Sequence, residues 1–527
     1  MTALPGTASE KHHKSLERLA RRGTASVVGA ACNAVLGLLL VVIITNGFSP
    51  SLAGTLFAVT SAFLILEAVA VLGTDTGVVR WLPTHLASGR SADIPRTLVV
   101  SAVPVLVFSV ATGAALYAAA PSLAPHLFGT DAPETMTRML RALALVLPVA
   151  ALYTLVVAGT RGMRAMRPTV LIENVGRVGL QAAAVLATYL AGGGALALTL
   201  AWSLPYVVGL VAAAWWLRAL VKGGRPSSGA PVAPWGALVR EFWGYTAPRA
   251  LARITQTALK RSDIVLVATL ASPADAALYT AATRFVVLGQ LLVQSVQQAL
   301  SPHLSALFAR GETGTAQAVF QAATLWSMLA AWPIYLVTAA LATPLMGLFG
   351  DGYGAASQVV VILSLTMLLA TACGPVDSVL LMAGRSWLSL RNSTVALAVN
   401  LGLNVVLIPS AGIRGAATAW AAAIVVRNLL PLFQVRHDPG MWPVTSATGH
   451  LAIRALVCFG GAGLVVTLGD LPLALDLALL GVALVAYLVG VWTHRTTLGL
   501  QSFRFALKGQ PALATRSRRE SDATYRL

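Results

Sequence analysis

Fourteen stretches of this chain are apolar for about 20 residues or nearly so, the length a helix needs to cross the hydrocarbon core of a bilayer. They are 24–46, 52–74, 97–119, 139–160, 169–190, 196–217, 244–270, 277–305, 317–346, 355–383, 392–409, 412–434, 452–469 and 473–493. Backbone amides inside a bilayer must be paired within their own segment, so runs of this length predict helices. The expected fold class is an all-α polytopic membrane protein with 14 transmembrane helices. The first run is a full span with no small-residue cleavage site after it, so no cleavable signal peptide is expected.

Charge placement supports the count. Lys and Arg number 37 against 19 Asp and Glu, a formal net charge of +18 in a chain of which only 11% is charged. A basic excess raises nucleic-acid binding as a function class, but here it falls almost wholly in 1–23, 80–96, 161–167, 218–240 and 495–527. With the N-terminus cytoplasmic, all of these lie on the cytoplasmic side. The seven predicted outer loops carry Asp131, Glu134, Asp275, Asp351 and Asp470 and no Lys or Arg. Arg138 and Arg141, near the outer end of the fourth span, depart from the pattern. The excess is therefore an orientation signal, and no nucleic-acid partner is expected.

The segment 218–240 is dense in Gly, Pro and Ser and reads as a linker. At a constant offset of 218, Asn174 matches Asn392, Gly194 matches Gly412, and Ala201-Trp202 matches Ala419-Trp420, a faint internal repeat. The expected organisation is a basic N-terminus (1–23), a first six-span lobe (24–217), the linker (218–240), a second six-span lobe (241–440), two further spans (441–494) and a basic tail (495–527).

Ionisable groups inside spans are costly, about 2.5–3.5 kcal/mol each at a helix centre, and mark where function sits. The seventh span holds Arg249, Arg253, Gln256, Lys260 and Asp263, spaced 4, 3, 4 and 3 along one face, with Arg261 beside them. Interfacial snorkelling is the alternative reading for Arg249 and Arg253, and it serves less well for the three charges deeper in. The eighth span repeats the spacing with Gln290, Gln294, Gln297 and Ser301, and carries Arg284 nearer its outer end. Such amides either pair with a neighbouring helix or line an aqueous cavity. Arg80 follows Glu67 and Asp75 in and after the second span, Asp377 lies in the tenth, and Asn400 and Asn404 share a face of the eleventh. Glu173 precedes Arg177 by four residues, the favourable order for a helical ion pair. Cys32, Cys373 and Cys458 are isolated, the eight His are scattered, and no Walker A loop is present. Neither a metal site, a cofactor nor a catalytic centre is expected, and the short outer loops argue against a membrane enzyme.

Four stretches carry a resemblance: Gly73 to Pro83 (GTDTGVVRWLP); Arg261 to Asp263 with the IVLV that follows; Leu278 to Phe285 (LYTAATRF) continuing to Ala299–Pro302; and Asn400 to Asn404, Ile408-Pro409 and Gly412 to Ala417 (GIRGAA). In these the chain resembles the polysaccharide exporters and Wzx-type O-antigen flippases of the MOP superfamily, and more distantly the lipid II flippases and MATE transporters. The resemblance implies two six-helix lobes around a central cavity open to alternate sides, plus two C-terminal helices. It implies a plasma-membrane flippase for a polyprenyl-(pyro)phosphate-linked oligosaccharide, with membrane lipids and a glycan polymerase or glycosyltransferases as partners. Arg80, Arg249, Arg253, Gln256, Lys260, Arg261, Arg284, Gln290, Gln294 and Gln297 are then the cavity candidates for phosphate and sugar, and Glu67, Asp263 and Asp377 the candidates for ion coupling. The alternatives are a cation-coupled multidrug antiporter and a non-transporting scaffold for glycan assembly.

Overall fold

A computed structural model describes residues 28–128, 133–223, 232–469 and 472–495. The basic segment 1–23, the centre of the linker and the tail from 496 lie outside the described residues, as do Asp131 and Asp470. The described chain is helical throughout: α1 (Val28–Gly47), α2 (Pro50–Ala70), α3 (Thr74–Ala87), α4 (Asp93–Phe128), α5 (Pro133–Gly162), α6 (Thr169–Leu190), α7 (Ala195–Gly223), α8 (Trp235–Leu270), α9 (Pro273–Ala309), α10 (Thr313–Ala340), α11 (Ala342–Gly347), α12 (Ser357–Ala372), α13 (Val376–Met382), α14 (Ser386–His437), α15 (Ser446–Leu468) and α16 (Leu473–Thr493). Among the described residues, twelve helices are long and apolar enough to cross a membrane. Helix α8 is 36 residues long, but its polar face keeps it out of that set.

Local chemistry sets the boundaries. Pro50 opens α2 at a position where its missing N–H costs nothing, and the Ser49 hydroxyl accepts from Leu52 N at 3.4 Å. Helix α14 runs 52 residues with one non-helical residue, Gly412 (φ 56°, ψ −134°), which breaks it into two helices. That break falls one residue past the expected two-residue loop 410–411. The first nine residues of α6, Thr169–Arg177, are wound as a π-helix. The wider turn takes Glu173 out of register with Arg177. The expected i,i+4 pair does not form: Glu173 instead accepts from Arg161 at 3.2 Å, and Arg177 donates to Gln181 at 3.1 Å.

The chain packs as two compact units. One comprises the described residues of Met1–Leu291 with Leu345–Ile362 and Leu390–Arg427; the other, those of Leu292–Pro344, Leu363–Ser389 and Asn428–Leu527. The first has a core of Val71, Val78, Leu82, Val105, Leu155 and Phe242. The second has a core of Leu304, Phe320, Val379, Leu380, Val435 and Met441. Elsewhere large apolar side chains point outward along whole helix faces, as on α4 and α16, the pattern of helices solvated by lipid rather than water.

Candidate functional site

The α3–α8 contact is built by two small residues one turn apart. Gly73 links α2 to α3 with φ +72°, and a Cβ there would stand 2.6 Å from Ala250 N; one on Gly77 would stand 2.4 Å from the Thr246 hydroxyl. Bare backbone at both positions lets α3 lie directly on α8 and brings Asp75 beside Arg253. Arg253 donates through Nη1 to Asp75 at 2.5 Å and through Nη2 to Glu67 at 3.2 Å. Glu67 is 5% exposed, so an acidic side chain is held inside α2 and paired from α8.

Beside this triad is a cavity of about 340 Å³ lined by Asp75, Thr76, Arg249, Arg253, Gln256 and Lys260, with Ala252 and Thr257 between them. Four of the predicted residues thus share one wall, as their spacing requires. The wall carries three cations against the single Asp75 carboxylate. Arg249 stacks over the Tyr245 ring at 5.2 Å, and Arg80 lies over the same ring at 4.1 Å. Arg80 therefore meets Arg249 across one aromatic side chain.

The stripe does not continue into this cavity as far as Asp263. That residue is buried; Tyr279 Oη donates to it at 3.1 Å and Asn404 Nδ2 at 3.2 Å. Asn404 also donates to the Asn400 carbonyl at 2.8 Å, and Ser262 donates to Asn400 Oδ1 at 3.4 Å. The C-terminal half of the polar face is thus a hydrogen-bonded knot among α8, α9 and α14. Arg284 bonds within its own helix, to Thr280 O (3.2 Å) and Thr283 Oγ1 (3.3 Å). Arg261 has neither ion pair nor side-chain hydrogen bond among the described residues. Gln290, Gln294 and Gln297 do not line the cavity; Gln290 falls in the first compact unit, and Gln294 and Gln297 in the second. Asp377, also in the second, accepts from Ser389 at 2.5 Å. Among the described residues, no group of three or more His, Cys, Asp or Glu is placed to hold a metal ion.

A family model described as "Polysaccharide biosynthesis protein" matches residues 19–308, more than half of the chain, and one described as "MatE" matches 248–406. The fold is similar to that of "Lipid II flippase MurJ, inward closed conformation", with a TM-score of 0.70 at 13% identity over 89% of this chain and 99% of that one. It is also similar to an inward-facing multidrug resistance MATE family transporter of the MOP superfamily, with a TM-score of 0.62 at 16% identity over 77% and 94%. A stretch of 169 residues is 27% identical to the "Probable low-salt glycan biosynthesis flippase Agl15" of Haloferax volcanii. That stretch is 32% of this chain and 36% of Agl15, so the chain spans about a third of the length of the curated relative it matches. The helices define a multi-pass membrane protein, and its fold is that of the solved flippase and transporter structures it resembles. Within that class, the chain belongs to the polysaccharide biosynthesis protein family.

Proposed function

We propose that this protein is a flippase that carries a polyprenyl-(pyro)phosphate-linked oligosaccharide across the plasma membrane by alternating access, for export of a surface polysaccharide. The observation that carries the reading is the α3–α8 cavity, where Arg249, Arg253 and Lys260 face one carboxylate. Guanidinium and ammonium groups in a water-poor site suit phosphate oxygens, and Arg binds them through paired N–H donors. The volume lies at the lower end of small-ligand pockets, enough for the charged head of the lipid rather than a whole glycan. Arg80, Arg261 and Arg284 are further cations proposed for the phosphate, and Gln256 offers an amide to sugar hydroxyls at the cavity; Gln290, Gln294 and Gln297 are sugar candidates by their own helical spacing.

In this reading α8 is a further span and α14 contributes two, giving 14 crossings with both termini cytoplasmic. The lobes are 24–217 and 241–440, joined by 218–240, with 441–494 appended and basic ends at 1–23 and 495–527. Glu67, Asp263 and Asp377 are the acids open to ion coupling, and glycosyltransferases or a polymerase are the protein partners. An antiporter of cationic drugs would need free carboxylates at the cavity, whereas Glu67 and Asp75 are both tied to Arg253.

The test is export of the surface glycan in a host deleted for this gene and complemented with Arg249→Ala, Lys260→Ala, Arg261→Ala or Arg284→Ala. Loss of export, with membrane levels of the protein unchanged, is expected for the two cavity-lining variants at least. Normal export by all four overturns the cationic-cavity reading, and drug resistance conferred in a pump-deficient host would replace it with the antiporter.

A further inference from the structure

The two arginines that break the charge pattern of the outer loops come together at the junction of α4 and α5. Arg138 and Arg141 lie in the first turns of α5 and, with Pro121, Pro133, Glu134 and Thr137, line an open cavity of about 490 Å³. The Arg141 guanidinium rests over the Tyr117 ring of α4, 4.9 Å from its centroid, and its Nε donates to the Tyr117 carbonyl at 3.5 Å. Its two Nη groups are left for another acceptor. Arg138 is exposed and has no ion pair among the described residues, although Glu134 stands one turn before it. Among the described residues, two positive charges therefore share a cavity with no carboxylate bonded to either, Glu134 being the one acid in its lining.

The position of this cavity in the bilayer follows from α4. Val99, Val103, Leu106, Val110 and Tyr117 are all exposed at helical spacing, an apolar face directed to lipid. From Val99 to Tyr117 the helix rises about 27 Å, close to the roughly 30 Å of a hydrocarbon core. Tyr117 therefore marks the interface, where tyrosine is the favoured residue, and the two guanidiniums stand at headgroup height beside it.

We propose that Arg138 and Arg141 hold the phosphate of an anionic lipid in the leaflet that meets this end of α4 and α5, with its acyl chains along the exposed face of α4. Paired guanidinium donors fit phosphate oxygens, and the adjoining apolar face favours a phosphate that carries hydrocarbon over a free one. The site depends on the chain crossing a bilayer and is independent of what the central cavity transports.

The test is native mass spectrometry of the full-length protein extracted from vesicles of phosphatidylcholine and phosphatidylglycerol. Wild type is expected to retain phosphatidylglycerol preferentially, and R138Q/R141Q to lose that preference by roughly 30-fold, given the usual contribution of each basic side chain at an anionic surface. The Lys–Lys variant keeps the charges without the forked donors and should retain part of it. An unchanged preference in R138Q/R141Q overturns the proposal, as does displacement of the lipid by inorganic phosphate alone, which would make this a free-anion site. The double variant removes only the partly exposed contact of Arg141 with Tyr117, so its thermal midpoint in phosphatidylcholine should stay close to that of wild type. Glycan export, measured separately, judges the transport reading and leaves the lipid result standing by itself.

Discussion

Two arginines in this protein sit between two carboxylates each, and they do so in different media. Arg253 bonds Asp75 at 2.5 Å and Glu67 at 3.2 Å from within the membrane helix α8. Arg90 bonds Asp93 at 2.8 Å and Glu241 at 3.2 Å in the connection between α3 and α4. The chemistry is the same, but the alternatives to pairing are not. At Arg90 water and salt can take over from Glu241, whose side chain is 30% exposed. At Arg253 the partner Glu67 is 7% exposed by side chain, and the guanidinium is its charged partner, with a side-chain hydrogen bond to Thr154 beside it. Arg253 is therefore committed to the fold, and the positive charge available to a ligand in the cavity rests on Arg249 and Lys260.

Removing each arginine separates the two situations. Arg253→Gln leaves Glu67 buried without its charged partner, a class of change that costs about 3–5 kcal/mol. Thermal unfolding of the purified protein should show a large fall in midpoint. Much of that loss should return in R253Q/E67Q, because the second change removes the stranded charge, so the cycle is strongly non-additive. An R253Q protein as stable as wild type would mean that water reaches Glu67 and that the two arginines are equivalent after all. The corresponding change at Arg90 is smaller. Arg90→Gln should cost about 0.5–1 kcal/mol, since buried Asp93 keeps the Ala233 N–H, which donates to it at 3.1 Å. Its effect should shrink at high salt, whereas that of R253Q should not.

Much of this arrangement was legible in the sequence, and the part that was not has a common cause. Apolar length located the spans, because a bilayer leaves no other way to satisfy the backbone, but not their polar extensions: α8 starts at Trp235 rather than 244, α4 runs to Phe128 rather than 119, and α3 carries no such signal. The 4, 3, 4 spacing placed Arg249, Arg253, Gln256 and Lys260 on one wall, which the cavity bears out. The same spacing carried on to Asp263, where it stopped being informative: α9 and α14 close over that part of α8, and periodicity within one helix does not say which neighbour covers it. The neutralisation of Arg253 was hidden for the same reason. Its partners come from α2 and α3, and their approach depends on Gly73 and Gly77, whose role appears only when α8 is laid against them. Glu173 was misjudged because a π-helical turn changes which residues are neighbours, and no residue type announces that turn.

The smallest effect belongs to the histidine beside Arg90, and it tests whether that cluster behaves as a water-side network. His85 is buried against Trp81, the rings nearly parallel at 25°. Thr97 Oγ1 donates to the Asp93 carbonyl at 2.9 Å, so at 3.1 Å from His85 Nε2 it serves as acceptor. The proton of the neutral ring therefore sits on Nε2, and Nδ1 is left without a partner. Burial first, and then the Arg90 guanidinium, hold this imidazole below its ordinary value of 6.5, while Glu241 and Asp93 act in the opposite sense. The unfolded chain thus binds the proton more readily than the folded one. The stabilisation is present above pH 6.5 and is lost as the pH falls below it. Thermal midpoints should decline on acidification from about pH 7.5 to 5.5, and His85→Gln, which keeps a donor for Thr97 but does not titrate, should flatten that decline by a few tenths of a kcal/mol. Arg90→Gln should flatten it partly, because it removes only the second cause. An acid slope unchanged in both variants would place the titration elsewhere, and would detach His85 from the Arg90 network.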